Sequence, residues 1–202
     1  MNLLLVEDQA MVRGALEALL NLEDDIQVVA CASNGLVAKA YLAEHAGTID
    51  VIVTDIQMPE LDGIGLCLLV KQQYPDIPVV MLTTFARAGY LQRALDAGAV
   101  GFLLKDAPAE RLAMALRDVA AGRKVIDSEL ALSALGSRQD PLTDKERQAL
   151  KLAQQGLNTA AIGKKMCLSQ GTVRNYLSEA ISKLQANNRI DAARIAAEKG
   201  WI

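Results

Sequence analysis

Short apolar runs alternate five times with helix-periodic segments over the first 121 residues, and this alternation is the strongest constraint on the fold. The predicted strands are residues 3–6, 26–32, 51–55, 78–83 and 101–104. The predicted helices between and after them are residues 9–20, 35–44, 63–73, 88–97 and 108–121. Nearly continuous apolar strands joined by helices favour a parallel sheet that is covered on both faces. We therefore expect an α/β domain with a doubly wound five-stranded sheet.

The rest of the chain has a different pattern. Residues 122–140 are weakly patterned and are predicted to be a linker with a short helix at 128–135. From Pro141 onward the periodicity is helical throughout, and Thr143 with Glu146 three residues later predicts a capping box at the first helix. Further helices are predicted at 159–166, 169–184 and 189–198. The expected domains are residues 1–121 and 141–202.

Charge is distributed unevenly between these parts. Residues 1–121 carry 8 basic and 16 acidic side chains, whereas residues 122–202 carry 13 and 8. This asymmetry predicts an acidic module joined to one that meets a polyanion. The three cysteines have no metal-binding spacing and are interpreted as reduced thiols. The first apolar run is too short for a signal peptide or a membrane span, so we expect a soluble, cytoplasmic protein without a membrane partner.

Polar side chains stand where the predicted strands end. Asp55 ends the third strand, and Glu7 and Asp8 follow the first. The first and third strands of a doubly wound sheet are neighbours, so the three carboxylates should share one crevice. Carboxylates that lie so close together repel one another unless their charge is neutralised. Mg²⁺ suits so small a set of oxygen ligands.

Two further strand ends complete this pattern. Thr83 offers a hydroxyl and Lys105 an ammonium at the same predicted edge. Carboxylates, a metal, a hydroxyl and an ammonium together suit an aspartyl nucleophile that attacks a phosphoryl group. Taken singly, each residue is equally compatible with a solvated surface group.

The segment 169–184 separates into an apolar and a polar face, and a short helix precedes it across a tight turn. This arrangement is typical of a helix-turn-helix motif. Arginine and asparagine on such a helix can read base edges, whereas lysine and hydroxyl side chains suit phosphates. The candidate DNA contacts are Lys165, Thr172, Arg174, Asn175 and Ser178. The alternative is an ordinary amphipathic helix with a solvated polar face.

Several motifs of the first domain resemble the receiver domain of two-component response regulators. They are Glu7-Asp8, Thr-Asp55-Ile-Gln-Met-Pro, Met-Leu-Thr83-Thr and Gly-Phe-Leu-Leu-Lys105. The resemblance implies a flavodoxin-like sheet of order 2-1-3-4-5. It also implies Asp55 as the acceptor of phosphate from a histidine kinase, with Mg²⁺ held by Glu7, Asp8 and Asp55. Thr83 and Lys105 would then contact the phosphoryl group, and Phe102 occupies the position of the switch aromatic, where tyrosine is frequent.

The second domain is similar to the LuxR-type output domain of the NarL/FixJ family. The similarity lies in Pro-Leu-Thr-Asp-Lys-Glu-Arg, Gly-Leu-Asn-Thr-Ala-Ala-Ile-Gly and Leu-Ser-Gln-Gly-Thr-Val-Arg-Asn-Tyr. Arg174 stands where the family commonly has lysine, and Tyr176 where it commonly has histidine, so a base preference cannot be copied from other members. Within the family the chain looks most similar to the DesR-like branch, which includes regulators of membrane-lipid desaturation. This similarity lies in Leu-Asn-Leu-Glu-Asp-Asp, Thr-Thr-Phe-Ala-Arg-Ala-Gly-Tyr and the Lys-Gly-Trp near the end of the sequence.

The first and last helices of the receiver-like domain carry apolar residues that one packed face does not need. At about 100° per residue, the apolar arc of helix 9–20 is roughly 200° wide, whereas one packed face needs about half of that. Met11, Ala15 and Met114 are therefore predicted to form a dimerisation face, since exposed apolar patches often mark interfaces.

These observations predict a transcriptional response regulator that takes part in phosphotransfer but is otherwise not an enzyme. Its expected partners are a sensor histidine kinase, operator DNA, a second copy of the chain when phosphorylated, and RNA polymerase. One alternative is a Mg²⁺-dependent phosphatase of the haloacid-dehalogenase type, which requires Asp-x-Asp after the first strand, where this chain has Glu7-Asp8-Gln9. The other alternative is a DNA-binding protein whose receiver domain is vestigial. The presence of suitable residues at all five receiver positions argues against it.

Overall fold

The structure is a computed structural model that describes residues 1–84, 88–135 and 140–202. These residues form two compact units. The first extends to residue 135, and the second comprises residues 140–202 together with residues 88–90. The part of the predicted linker at 136–139 lies outside the described residues.

A parallel sheet with strand order β2-β1-β3-β4-β5-β6 is the centre of the first unit. Its strands are β1 (Asn2–Val6), β2 (Gln27–Ala32), β3 (Val51–Asp55), β4 (Val79–Thr83), β5 (Gly101–Leu104) and β6 (Val125–Ile126). The connecting helices are α1 (Ala10–Leu20), α2 (Gly35–His45), α3 (Gly63–Gln73), α4 (Ala88–Ala97) and α5 (Ala109–Ala120), and a 3₁₀ turn (Ala46–Thr48) follows α2. The doubly wound α/β fold and the order of the first five strands are confirmed.

Both faces of the sheet are buried, as the continuous apolar strands predict. Side chains alternate between the two faces along a strand. On β1, Leu3 and Leu5 join the core that also contains Leu112 and Leu116 of α5, while Leu4 points to the opposite face and is equally buried. A strand of this kind needs apolar residues at every position, which explains why no polar alternation is visible in the sequence.

The sheet has six strands where five were expected. Strand β6 pairs with β5 through Gly101 opposite Val125 and Phe102 opposite Ile126. Its two residues are too few to form a recognisable apolar run, so only the pairing with β5 identifies it as a strand. Part of the predicted linker 122–140 is thus an element of the sheet. Helix α6 (Ser128–Leu135) follows at the predicted position. At its start, the Asp127 carboxylate accepts from the Glu129 amide.

The elements that the structure describes in residues 140–202 of the second unit are all helices. They are α7 (Asp144–Gln154), α8 (Thr159–Met166), α9 (Gln170–Leu184) and α10 (Arg189–Glu198). The predicted capping box is present at α7: the Thr143 hydroxyl accepts from the Glu146 amide, and the Glu146 carboxylate accepts from the Thr143 amide. Ala149 and Leu150 of α7 pack with Val173 and Leu177 of α9 in the core of this unit.

A helix that spans a membrane must be both long and apolar. Among the described residues, none of the helices meets both requirements.

Candidate functional site

Three carboxylates meet at the C-terminal edge of the sheet. Glu7 follows β1, Asp55 ends β3, and these strands are neighbours, with Val6 opposite Thr54. One oxygen atom each from Glu7, Asp8 and Asp55 lies within 4.8 Å of the other two. Glu7 and Asp55 are buried, whereas Asp8 is exposed. The sequence predicted this grouping from strand ends that lie far apart along the chain.

Lys105 follows β5 and reaches into the same cluster. Its Nζ lies 2.5 Å from Oε2 of Glu7 and 3.0 Å from Oδ2 of Asp55. The lysine side chain is only 8% exposed, so its charge is only weakly screened by water. The ammonium therefore neutralises part of the negative charge that the carboxylates bring together.

The pKa values of this pair reflect burial and mutual attraction. Burial has the largest influence on Glu7 and raises its pKa above the ordinary value, although the Lys105 ammonium acts in the opposite direction. Burial lowers the pKa of Lys105, but the nearby carboxylates of Glu7 and Asp55 outweigh it and keep the ammonium protonated. The lysine is thus a permanent cation of the site at neutral pH.

The turn after Asp55 is held by close backbone packing. Oδ1 of Asp55 accepts from the Ile56 amide at 2.7 Å, and the Gly63 amide donates to the Ile56 carbonyl at 3.0 Å. A Cβ atom at Gly63 would lie 1.9 Å from the backbone oxygen of Asp55. Only glycine fits at this position, which allows α3 to begin directly against the turn that carries Asp55.

Thr83 and Phe102 lie on the neighbouring strands β4 and β5. Thr83 ends β4 and is buried, and its carbonyl oxygen accepts from the Lys105 amide at 2.8 Å. Phe102 is 1% exposed, and its ring belongs to the face of the sheet opposite Leu103. A residue with so little free space can take part in a switch only if its surroundings repack.

The donor set fits Mg²⁺. All three candidate ligands are carboxylates, which Mg²⁺ prefers, and one of them is exposed, which leaves room for the water molecules that this ion retains. Among the described residues, the cluster contains no sulfur or imidazole group that would favour zinc.

A helix-turn-helix is present in the second unit. Helix α8 ends at Met166. The next residue, Cys167, has a left-handed backbone with φ of 55°, and Ser169 caps α9 two residues later. A Cβ atom at Gly163 would lie 2.7 Å from the carbonyl oxygen of Leu168. The glycine therefore permits the close approach of α8 to the turn that sets the position of α9.

The polar face of α9 lies opposite its packed face, as predicted. Val173 and Leu177 are buried, whereas Arg174, Asn175 and Ser178 are exposed.

The remaining two candidate DNA contacts differ in their surroundings. Lys165 on α8 is exposed. Thr172 is half-buried, and its hydroxyl pairs with the Ser169 hydroxyl at 2.9 Å within the cap of α9.

The predicted dimerisation residues lie on the outside of the first unit. Met11 is 86% exposed, Met114 is 63% exposed, and Ala15 is also exposed. Helices α1 and α5 pack against each other.

Three groups escaped prediction from the sequence. Arg13 on α1 donates from Nη1 to the backbone oxygen of Glu7 at 2.5 Å. Lys183 on α9 binds both carboxylate oxygens of Glu146 at 2.8 Å, and Arg111 pairs with Asp127 at 3.0 Å. Each contact joins residues whose proximity depends on the fold, and no spacing in the sequence signals it.

Two family models match the chain. Residues 3–117 match the response regulator receiver domain, and residues 140–196 match the bacterial regulatory proteins of the luxR family. The first match covers most of the first unit, and the second match covers most of the second unit.

Curated relatives extend over the whole chain. It is 42% identical over 201 residues to the transcriptional regulatory protein DesR of Bacillus subtilis, an alignment that covers 100% of this chain and 98% of DesR. It is 36% identical over 203 residues to the transcriptional activator DevR/DosR of Mycobacterium tuberculosis, with 96% of this chain and 93% of that protein covered.

Solved structures have the same fold. The response regulator ChrA of a haem-sensing two-component system is 35% identical with a TM-score of 0.59, and 100% of this chain and 98% of ChrA are covered. RcsB from Salmonella enterica serovar Typhimurium is 24% identical with a TM-score of 0.71 over 98% of each chain, a likeness that concerns the fold alone.

Proposed function

The chain belongs to the transcriptional response regulators that join a receiver domain to a LuxR-type output domain, and on this premise we propose that Asp55 is its phosphoacceptor. The observation that carries the proposal is the meeting of Asp55 with Glu7, Asp8 and Lys105 at one edge of the sheet. Incubation of the full chain with acetyl phosphate and Mg²⁺ tests it by intact mass. A chain that takes up no phosphoryl group would contradict the proposal.

The carboxylates of Glu7, Asp8 and Asp55 would hold Mg²⁺, which supplies positive charge for the oxygens of a transferring phosphoryl group. In the transfer, a carboxylate oxygen of Asp55 forms a bond to phosphorus while the bond from phosphorus to the donor breaks. Lys105, already 3.0 Å from Asp55, pairs with the phosphoryl oxygens, and the Thr83 hydroxyl donates to one of them. We propose that the donor of the phosphoryl group is a histidine kinase and that the transfer takes place in the cytoplasm.

The output of the protein is proposed to be DNA binding through α9. Arg174 and Asn175 are free of the core and can reach base edges in the major groove, while Lys165 on α8 can reach a phosphate. The hydroxyl of Thr172 already serves the cap of α9, so its proposed role is a phosphate contact near the start of the helix. RNA polymerase is the proposed further partner of the DNA-bound protein.

Arg174→Ala is expected to weaken binding to a DNA site that was selected for tight binding by the wild type, by about 1–3 kcal/mol. Binding to random DNA should stay nearly unchanged. Lys165→Ala is expected to weaken both and to reduce the salt slope by about one unit, because a lost phosphate contact releases one counterion fewer. Fluorescence anisotropy at several salt concentrations measures both effects. Equal losses on selected and random DNA for Arg174→Ala would assign this residue to the backbone instead.

We also propose that phosphorylation pairs two chains through Met11 and Ala15 on α1 and Met114 on α5. A two-fold contact needs a self-complementary patch, and these exposed apolar residues on adjacent helices supply one. A shift from mostly monomer to mostly dimer requires only a few kcal/mol of differential stability, which burial of such residues can provide.

The double variant Met11→Glu with Met114→Glu is expected to accept phosphate normally and to remain monomeric, because two carboxylates per chain would be brought together at the contact. Light scattering of the phosphorylated protein gives the association state. The matched control is Leu36→Glu with Val37→Glu, which places the same two charges on α2 at side chains that are each 46% exposed. A double variant that dimerises like the wild type would move the interface elsewhere, to the side formed by residues 88–105.

A further inference from the structure

The loop between β1 and α1 carries two of the three proposed metal ligands, and its two carboxylates are held very differently. Glu7 is fixed at several atoms: its amide donates to the Ala32 carbonyl at 3.0 Å, and its carboxylate pairs with Lys105 and accepts from the Gln9 amide. In the part of the chain that the structure describes, no hydrogen bond or ion pair reaches the carboxylate of Asp8, which is exposed. The direction of Asp8 therefore depends on the backbone that precedes it.

Among the described residues, one side chain anchors that backbone. Nη1 of Arg13, one turn into α1, donates to the carbonyl oxygen of Glu7 at 2.5 Å. This carbonyl belongs to the peptide group that joins Glu7 to Asp8, so its orientation sets the direction in which the Asp8 side chain leaves the chain. A charged donor makes a stronger hydrogen bond than a neutral one. This hydrogen bond is also partly buried, which limits competition from water.

We infer that Arg13 is a positioning residue for the metal site, which orients Asp8 by holding the peptide group between Glu7 and Asp8. The inference rests on the proposed metal-binding role of Glu7, Asp8 and Asp55. Arg13 touches no metal ligand atom: it contacts a backbone oxygen, and its effect on the ion is transmitted through the loop. Groups that orient metal ligands in this way typically change metal affinity by 10- to 100-fold when they are removed.

The sign of the effect separates this role from simple electrostatics. A guanidinium close to three carboxylates repels a divalent cation, so its removal alone would strengthen cation binding. If Arg13 instead orients Asp8, its removal weakens cation binding in spite of the lost repulsion. The two explanations thus predict changes in opposite directions for the same variant.

The test uses Mn²⁺ as the probe, because it takes the same oxygen ligands as Mg²⁺ and its free ion is visible by electron paramagnetic resonance. The full unphosphorylated chain is titrated with Mn²⁺, and competition with Mg²⁺ gives the affinity for both ions. We expect Arg13→Met to raise both dissociation constants about tenfold, toward the lower end of the effects measured for such groups. Arg123→Met is the matched control, since it removes one positive charge from an exposed residue paired with Asp118 and should leave both constants unchanged.

Arg13→Lys provides a second measurement that keeps the charge. A lysine ammonium is a compact point charge and lacks the planar fork of donors, so we expect a dissociation constant between those of the wild type and Arg13→Met. Thermal unfolding without metal shows whether each variant is folded. If Arg13→Met does not fold, Arg13→Lys decides: weaker Mn²⁺ binding supports the inference, and unchanged binding overturns it.

Asp8→Asn distinguishes a failure of the inference from a failure of the proposed site. If Asp8→Asn weakens Mn²⁺ binding while Arg13→Met binds as tightly as the wild type or more tightly, the site stands and the role of Arg13 is wrong. If Asp8→Asn has no effect, the proposed metal site is wrong and the inference falls with it.

Discussion

Asp55→Asn is expected to reduce phosphoryl uptake from one group per chain to none when the protein is incubated with acetyl phosphate and Mg²⁺. The amide oxygen of asparagine is a poor nucleophile, and the substitution also removes one of the three proposed metal ligands. The size of the side chain is kept, and the one oxygen of asparagine can still accept from the Ile56 amide, although the pairing of the second oxygen with Lys105 is lost. Intact-mass spectrometry counts the phosphoryl groups directly.

Two variants control this result. Asp8→Ala should label slowly rather than not at all, because it loses a proposed metal ligand but keeps the nucleophile. Lys105→Ala should still accept phosphate yet fail to dimerise, because it removes the ammonium that is proposed to pair with the phosphoryl oxygens. Normal labelling of Asp55→Asn would place the acceptor at another residue.

Glu146→Ala is expected to destabilise the second unit by about 2–4 kcal/mol. Glu146 is 4% exposed, caps α7 through the Thr143 amide and holds the Lys183 ammonium of α9 with both oxygens. Removal of one partner from a buried ion pair costs about 3–5 kcal/mol; Lys183 is 32% exposed, so part of that cost is screened here, while the lost cap adds to it. Trp201, the only tryptophan, packs in the core of this unit, and its fluorescence during urea unfolding measures the change.

The same pair predicts the direction of the pH dependence. Burial alone would raise the pKa of Glu146, but the Lys183 ammonium and the donors of Thr143 outweigh it and hold the pKa below the ordinary value of 4.5. A carboxyl group with a lowered pKa stabilises the folded state above its unfolded pKa and loses this contribution as the pH falls through its folded pKa. The wild type should therefore lose stability of the second unit below about pH 4.5.

Glu146→Gln is the matched control for this effect. It keeps an oxygen for the Thr143 amide but has no charge for Lys183, so it should lose less stability than Glu146→Ala and lack the decline at acid pH. A Glu146→Gln variant with the pH profile of the wild type would show that another group causes the decline.

Much of the fold could be predicted because its signals are local. The bounds of α3, α4 and β5 agree with the sequence patterns, because a proline, a glycine and a lysine, respectively, follow these elements within two residues. Strand β6 could not be predicted in the same way. Two residues carry no periodicity, and Val125 and Ile126 become a strand only because the edge of β5 is available to pair with them.

The contacts of the functional residues likewise include some that the sequence predicts and some that it does not. Glu7, Asp55 and Lys105 could be predicted to meet, because parallel strands bring their C-terminal ends to one edge of the sheet. Arg13 could not, since its partner is a backbone oxygen that any residue would offer. The pairing of Glu146 with Lys183 depends on how α7 packs against α9. The capping-box motif predicts only the contact of Glu146 with Thr143 and not the contact with Lys183.

The central claim is that phosphorylation of Asp55 pairs two chains, and the most direct measurement is the molar mass of the protein by light scattering before and after treatment with acetyl phosphate and Mg²⁺. The wild type is expected to gain one phosphoryl group and to double its molar mass, whereas Asp55→Asn is expected to do neither. A wild-type protein that gains the phosphoryl group and remains a monomer, or an Asp55→Asn variant that dimerises under the same treatment, would contradict the claim.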